Sequence, residues 1–289
     1  MKKTFKVLLG AAVLVTEVFA IALPILTTSV KADGAIQAIT HAGFGGGTDV
    51  TTRMMLLRTR RYLKQDMQLV NKKGGGGAAS MDYMMTLPAD GQHTLTWTTG
   101  HAVSMALGKT KVKLSDMQPL ARGTDDPQLF VVNCKNDIKD AKKFISAQKS
   151  KSLKYGTTHV GGIDDVSAIA FTKKGKLTDP TIVAYKGVAP IKTNLIKGDI
   201  DVGVLNLGEA VTEIEGGTLC VSVVLASKRM EKLSKVPTAT ELGIPVVLST
   251  VRGFVTRKGV PADRKKQLED AMIKAMEHKY FQSFLTDIG

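Results

Sequence analysis

The residues best suited to chemistry lie in the turn from Gly43 to Asp49, G-F-G-G-G-T-D, at the entry to an amphipathic helix. Gly45, Gly46 and Gly47 carry no side chains, so a ligand can come close to their backbone amides. A helix N-terminus adds orphan N–H donors and partial positive charge, which suit a carboxylate or a phosphate. The competing reading is a flexible loop capped by Thr48 or Asp49. A second strand-to-helix turn of this kind is Thr157-Thr158-His159-Val160-Gly161-Gly162-Ile163-Asp164-Asp165. Its two acids either complement the positive end of the following helix or accept a hydrogen bond from a ligand amine or hydroxyl.

Other strands end in small, hydroxyl or amide residues: Thr98-Thr99-Gly100-His101, Tyr185-Lys186-Gly187 and Asn206. In open α/β sheets, ligands lie beyond the carboxyl ends of the strands, at a switch point. Two such rims facing one another would enclose a small molecule. His101 and His159 are either hydrogen-bond donors into that cleft or exposed loop histidines.

Enzyme signatures are missing. There is no G-x-S-x-G, no G-x-x-x-x-G-K-[ST] and no H-E-x-x-H, and the run from Gly43 fails G-x-G-x-x-G at Thr48. Ser146 and Lys149 match S-x-x-K by chance, in a charged helix without the companion motifs. The histidines at 41, 93, 101, 159 and 278 are dispersed, so neither a metal nor a cofactor is expected.

Strand-like and helix-like segments must position these turns, and they alternate from residue 35 onward, which predicts an α/β fold with largely parallel sheets. Strands are expected at Ala35–Thr40, Met67–Val70, Thr94–Thr98, Leu129–Val132, Lys154–Thr157, Ile182–Tyr185, Val202–Leu205, Val221–Leu225 and Gly253–Thr256. The helix over 48–64 is expected to bury Val50, Met54, Leu57 and the stem of Arg61. A second glycine cluster, Gly74 to Gly77, precedes a helix whose Met81, Met84 and Met85 read as core filler. A charged helix follows over 140–151, and Pro261 to Lys279 is a closing helix.

The N-terminus pairs basic residues (Lys2, Lys3, Lys6) with an apolar run from Val7 to Leu26, then a small-residue site at Val30-Lys31-Ala32. That reads as a secretory signal peptide cleaved after Ala32, with no cysteine there to take a lipid. Cleavage would leave 257 of the 289 residues, enough for two domains, and lower the formal charge from +14 to +11. A basic surface favours acidic partners, but scattered lysines and 5% aromatics offer no nucleic-acid platform. Cys134 and Cys220 either form one disulfide or remain buried thiols; their apolar, strand-like surroundings favour thiols.

In order and spacing, Gly45-Gly46-Gly47-Thr48-Asp49, the Asn71 to Gly77 cluster, Pro88-Ala89-Asp90-Gly91, Tyr155-Gly156-Thr157-Thr158, Tyr185-Lys186-Gly187, Gly198-Asp199-Ile200-Asp201, Val236-Pro237-Thr238 and Gly259-Val260-Pro261 form a specific set. On these motifs the chain resembles the extracytoplasmic receptors of tripartite tricarboxylate transporters, the Bug family of solute-binding proteins. The resemblance implies a type II periplasmic-binding fold, with two α/β lobes closing on a small carboxylate-bearing solute. Lobe 1 would comprise residues 33–129 plus 226–289, and lobe 2 residues 130–225. Gly45, Gly46, Gly47, Thr48 and Asp49 on one lobe, and Thr157, Thr158, His159, Gly161 and Gly162 on the other, would hold the carboxylate. Thr98, Thr99, Gly100, His101, Tyr185, Lys186, Gly187 and Asn206 would complete the pocket, with Asp164 and Asp165 beside it. A periplasmic monomer delivering a small organic acid to a membrane permease pair is the implied role. The alternatives are an exported enzyme using His101 or His159 with Asp165, and a ligand-sensing subunit of a membrane signalling system. The chain departs from the family at His41, where proline is usual, and at Asp164 and Asp165, which make an amino or hydroxy acid more plausible than a simple polycarboxylate. It also stops at Gly289, short of a final helix usual in the family.

Overall fold

The computed structural model describes residues 34–158 and 160–288; the expected signal peptide and His159 lie outside the described residues. No helix among the described residues is long and apolar enough to cross a membrane. In chain order the elements are β1 (Ile36–Thr40), α1 (Gly47–Leu63), β2 (Met67–Asn71), α2 (Ala78–Thr86), β3 (His93–Thr98), α3 (Thr99–Ala106), β4 (Met117–Pro127), β5 (Leu129–Asn133), α4 (Ala141–Ser150), β6 (Lys154–Thr157), α5 (Ile163–Lys174), β7 (Thr181–Ala184), α6 (Val188–Lys197), β8 (Val202–Leu205), α7 (Leu207–Glu215), β9 (Leu219–Val224), β10 (Ser249–Arg257), α8 (Ala262–Glu277) and α9 (Lys279–Ile288).

Two five-stranded sheets follow one plan, β2-β1-β3-β10-β4 and β7-β6-β8-β5-β9. β1 runs parallel to its neighbours β2 and β3, and β6 likewise to β7 and β8. β10 and β5 are antiparallel to both their neighbours. The expectation of largely parallel sheets therefore holds for three strands of each. A parallel neighbour needs a crossover connection, usually a helix, whereas β5 and β10 each enter from the opposite sheet without one. β1 and β6 are the switch strands, since the chain steps to one side of each and then to the other.

Each sheet has its own apolar core. Phe130, Phe144, Tyr155 and Phe171 are buried together in the second, with Phe130 4.9–5.7 Å from the other three rings. Ala239, Ile244 and Val246 pack into the same cluster. Ile36, Met55, Phe254, Leu268, Met272 and Phe281 anchor a cluster at the first sheet, where Met81 and Met84 also fill core space as expected.

Four expectations need correction. The buried face of α1 is Thr48, Asp49, Thr51, Thr52, Met55 and Thr59, while Leu57 is exposed. Thr51, Thr52 and Thr59 each donate to the carbonyl four residues back, at 2.6–2.8 Å, and a hydroxyl satisfied in this way can be buried. Residues 99–101 open helix α3 rather than a loop, because Thr98 caps it and His101 turns back on the cap. Cys134 and Cys220 form a disulfide: the antiparallel register of β5 and β9 runs past Val132 opposite Cys220 and brings the two Cα atoms to 5.0 Å. Finally, α9 follows α8 after His278 and packs its Phe281, Phe284 and Leu285 on the first core.

Candidate functional site

Both switch strands end in a glycine turn, and the two turns are built alike. Gly45 and Gly161 take φ of +73° and +67°, which only glycine adopts without strain. Gly46 and Gly162 are the extended N-cap residues of α1 and α5, and neither has a side chain to bond the first-turn amides. Three residues into each cap, an aspartate reaches back over the helix end. The Gly45 N–H donates to Asp49 Oδ2 at 3.1 Å, and the Gly161 N–H donates to Asp165 Oδ2 at 2.5 Å.

The next strand in each sheet ends in the same way. β3 leads into α3 with Thr98 as N-cap, and the Thr98 N–H donates to His101 Nδ1 at 3.0 Å. β8 leads into α7 with Asn206 as N-cap, and the Asn206 N–H donates to Glu209 Oε2 at 3.0 Å. Asp49, His101, Asp165 and Glu209 thus occupy the third position of four helices at equivalent places in the two sheets.

His101 is fully buried, stacked on Trp97 at 5.1 Å, with Nε2 3.1 Å from Ser80 Oγ. Since Nδ1 accepts from an amide, the neutral ring carries its proton on Nε2. The residue is therefore not an exposed loop histidine. Thr99 spans to β10, accepting from the Val251 N–H at 3.0 Å and donating to the Ser249 carbonyl at 3.1 Å. Gly100 is buried behind Thr98.

On the second turn, the Thr158 N–H and hydroxyl both donate to Asp164 Oδ2, at 2.9 and 2.6 Å. Thr157 is buried, and its hydroxyl has no hydrogen-bond partner among the described residues. Tyr185, Lys186 and Gly187 follow β7, at the sheet edge. The Tyr185 N–H donates to the Thr157 carbonyl at 2.8 Å, its ring packs with the core, and Lys186 is exposed.

A cluster that sequence reasoning missed joins these ends. Arg252 on β10 is 2% exposed, and its Nε donates to Thr48 Oγ1 at 3.0 Å. Its two other arms reach Asp126 on β4 and Asn206 Oδ1 (3.1 Å). Burial lowers its pKa to about 10. Glu209 Oε1 also accepts from the Gly47 N–H at 3.4 Å, linking α7 to the end of α1. Desolvation, more than any neighbour, raises the Glu209 carboxyl to about 7. Gly45, Gly47, Asp126, Asn206, Glu209 and Arg252 line a cavity of about 50 Å³ with Phe284 and Ile288 of α9. A side chain at position 47 would strike the Arg252 guanidinium, so the approach requires glycine there. Two signals were available in the sequence: Asn206-x-x-Glu209 is a capping-box pattern, and Arg252 is a lone charge inside an apolar strand.

The family model described as the tripartite tricarboxylate transporter family receptor matches residues 51–289. The chain belongs to that family. It is 26% identical over 219 residues to protein BugT of Bordetella pertussis, covering 73% of this chain and 66% of BugT. Among solved structures it is similar to MatC from Rhodopseudomonas palustris with bound malate (25% identity, TM-score 0.79, 89% of this chain and 90% of that one). A TctC solute-binding protein from Polaromonas, solved with no ligand, gives 25% identity and a TM-score of 0.72, with 90% of each chain covered. A member of this receptor family is a solute-binding protein and not an enzyme. The two-sheet plan is that of the family's two-lobed fold.

Proposed function

We propose that this receptor captures a small carboxylate-bearing solute between the α1 and α5 turns and delivers it to a membrane permease of the tripartite tricarboxylate type. The observation that carries the reading is the pairing of two alike glycine turns, each with an uncapped helix N-terminus, at the switch strands of the two sheets. Helix ends of this kind favour an anion through their dipoles and unsatisfied amides. The malate bound to MatC supports the choice of a small organic acid. Export to the periplasm follows from the same role and from the signal-like N-terminus.

Residues 34–127 with 249–288 form one lobe in this reading, and residues 129–248 the other. That moves 226–248 out of the lobe expected from sequence, because Ala239, Ile244 and Val246 pack into the second sheet's core. Solute capture then works by hinge closure about the crossing strands. A thermal-shift panel of dicarboxylates, tricarboxylates, hydroxy acids and acidic amino acids tests the reading. A solute at 100 times its Kd should add about 2.7 kcal/mol of stability. Absence of a shift with every acid in the panel would defeat it.

A further inference from the structure

Arg252 stands near the start of β10, where the chain has just crossed back from the second sheet, and is among the largest buried side chains of the described residues. The ladder with β4 slips there, from Arg252 opposite Thr124 to Gly253 opposite Arg122, and such a bulge re-aims the side chains beside it. Each arm of the guanidinium serves a different element. Nε donates to Thr48 Oγ1 in the first turn of α1, one terminal nitrogen to Asp126 at the end of β4, and the other to Asn206 Oδ1 at the cap of α7. Asn206 closes the ring, because its side-chain amide donates to the Asp126 and Pro127 carbonyls at 3.0 Å each. Gly47, the residue before Thr48, lies against the guanidinium and donates to Glu209 Oε1. The end of α1, both crossing strands and the cap of α7 therefore meet on one side chain.

A buried guanidinium is costly unless a charge and hydrogen bonds compensate it. Replacing such a pair with well-packed apolar residues is often neutral or stabilising, so stability alone does not call for an arginine here. What arginine adds is geometry. Its donors form a planar, rigid fork that fixes the angles between the groups it bonds, whereas lysine presents a single point of charge on a flexible stem.

We propose that Arg252 is a positioning residue for solute capture: it holds the α1 end of the first lobe in register with the α7 cap of the second, and so sets how the lobes meet around the solute. The inference rests on the two-lobed receptor reading above and adds the group that fixes the lobe angle. Arg252 acts through Thr48 and Asn206 and needs no contact with the solute.

The test is the spread of distances between the lobes in the full chain, with no solute added. Spin labels on Arg60→Cys in α1 and Ser146→Cys in α4, both exposed positions, place one probe on each lobe, and the native cysteines are held in their disulfide. Pulsed electron–electron double resonance should give a distance distribution about twice as wide for Arg252→Lys as for the labelled parent, since lysine keeps the charge beside Asp126 but cannot span Thr48 and Asn206 together. Thr48→Val keeps nearly the same shape and removes only the α1 partner. It should widen the distribution too, and it decides the matter alone if Arg252→Lys does not fold. Parental widths in both variants, even with a lowered urea midpoint, would make Arg252 a purely structural residue and overturn the inference. If both fold and only one is widened, the tie does not run from the fork to α1 and the inference fails as well. No acid enters this measurement, so a thermal-shift panel without a responding acid would defeat the receptor reading while the widths still report on Arg252.

Discussion

Glu209 is a carboxylate held by two amides, Asn206 and Gly47, and by no cation among the described residues. Desolvation and Asp164 on α5 push its pKa up, while the two amides and Lys192 on α6 pull it down; the first effect wins, leaving it near 7. Arg252 and Asp126 share its cavity, and Glu213 lies one turn along its own helix, paired with Lys192. A carboxyl that titrates near 7 when folded and near 4.5 when unfolded binds its proton more tightly in the folded state. Its contribution to stability is therefore complete below about pH 4.5 and falls away as pH rises through 7. Ionised Glu209 costs the folded protein at most about 3 kcal/mol at pH 8, and less to the extent that residual solvent contact screens it. Glu209→Gln should accordingly stabilise the protein against urea at pH 8, by up to that amount, and have little effect at pH 4. An equal effect at both pH values would show that the carboxyl titrates normally.

At the scale of elements, the proposed site rests on the helix ends. Gly46 has φ −72° and ψ 157°, an ordinary N-cap conformation, and an added Cβ would meet only the Gly43 carbonyl at 3.4 Å. Gly46→Ser should therefore leave stability within about 0.5 kcal/mol, since serine caps helices at least as well as glycine. Its hydroxyl would take first-turn amides of α1 and fill space beside them, so solute affinity should fall about tenfold by calorimetry. Unchanged affinity would remove α1 from the site. The Cys134–Cys220 disulfide closes a loop with a sequence separation of 86 and ties β5 to β9. Chain entropy for such a loop gives roughly 4–5 kcal/mol, and strain or residual unfolded structure usually reduces it. Replacing both cysteines with alanine should lower the urea-derived stability by about 2–4 kcal/mol.

The same elements show what was legible in the sequence. Glycine turns and β-rich runs placed β1, α1, β6 and β8 within a residue or two, because turn chemistry and apolar patterning are local. β4 was missed: Pro119, Arg122, Gly123, Asp125 and Asp126 break its pattern, and its pairing with β10 is what makes it a strand. The threonine face of α1 was missed because hydroxyls buried by back-bonding look polar in a hydropathy pattern. Arg252 and Glu209, 43 positions apart in sequence, meet only through the packing of β10, α1 and α7.

For the whole molecule, the two sheets share a plan and are joined where β4 passes into β5 and where the chain returns to β10. Gln128 sits at that crossing, fully buried. Its N–H donates to the Leu248 carbonyl at 3.0 Å, its carbonyl accepts from Leu225 at 2.9 Å, and its side-chain amide donates to Thr250 at 2.6 Å. In the proposed hinge closure, a crossing so tightly bonded would act as the pivot, and closure would be held by contacts far from it. Lys109, just beyond the end of α3, supplies one through its bond to Val160 on the second turn. The bond is exposed, so it is worth at most about 1 kcal/mol, or roughly fivefold in a rate or equilibrium. On that proposal, opening would break it, whereas an open receptor meeting its solute would have yet to form it. Lys109→Ala should therefore raise the solute's dissociation rate up to about fivefold in stopped-flow measurements and leave the association rate nearly unchanged. A slower association with unaltered dissociation would assign Lys109 to steering the solute and not to holding the lobes shut.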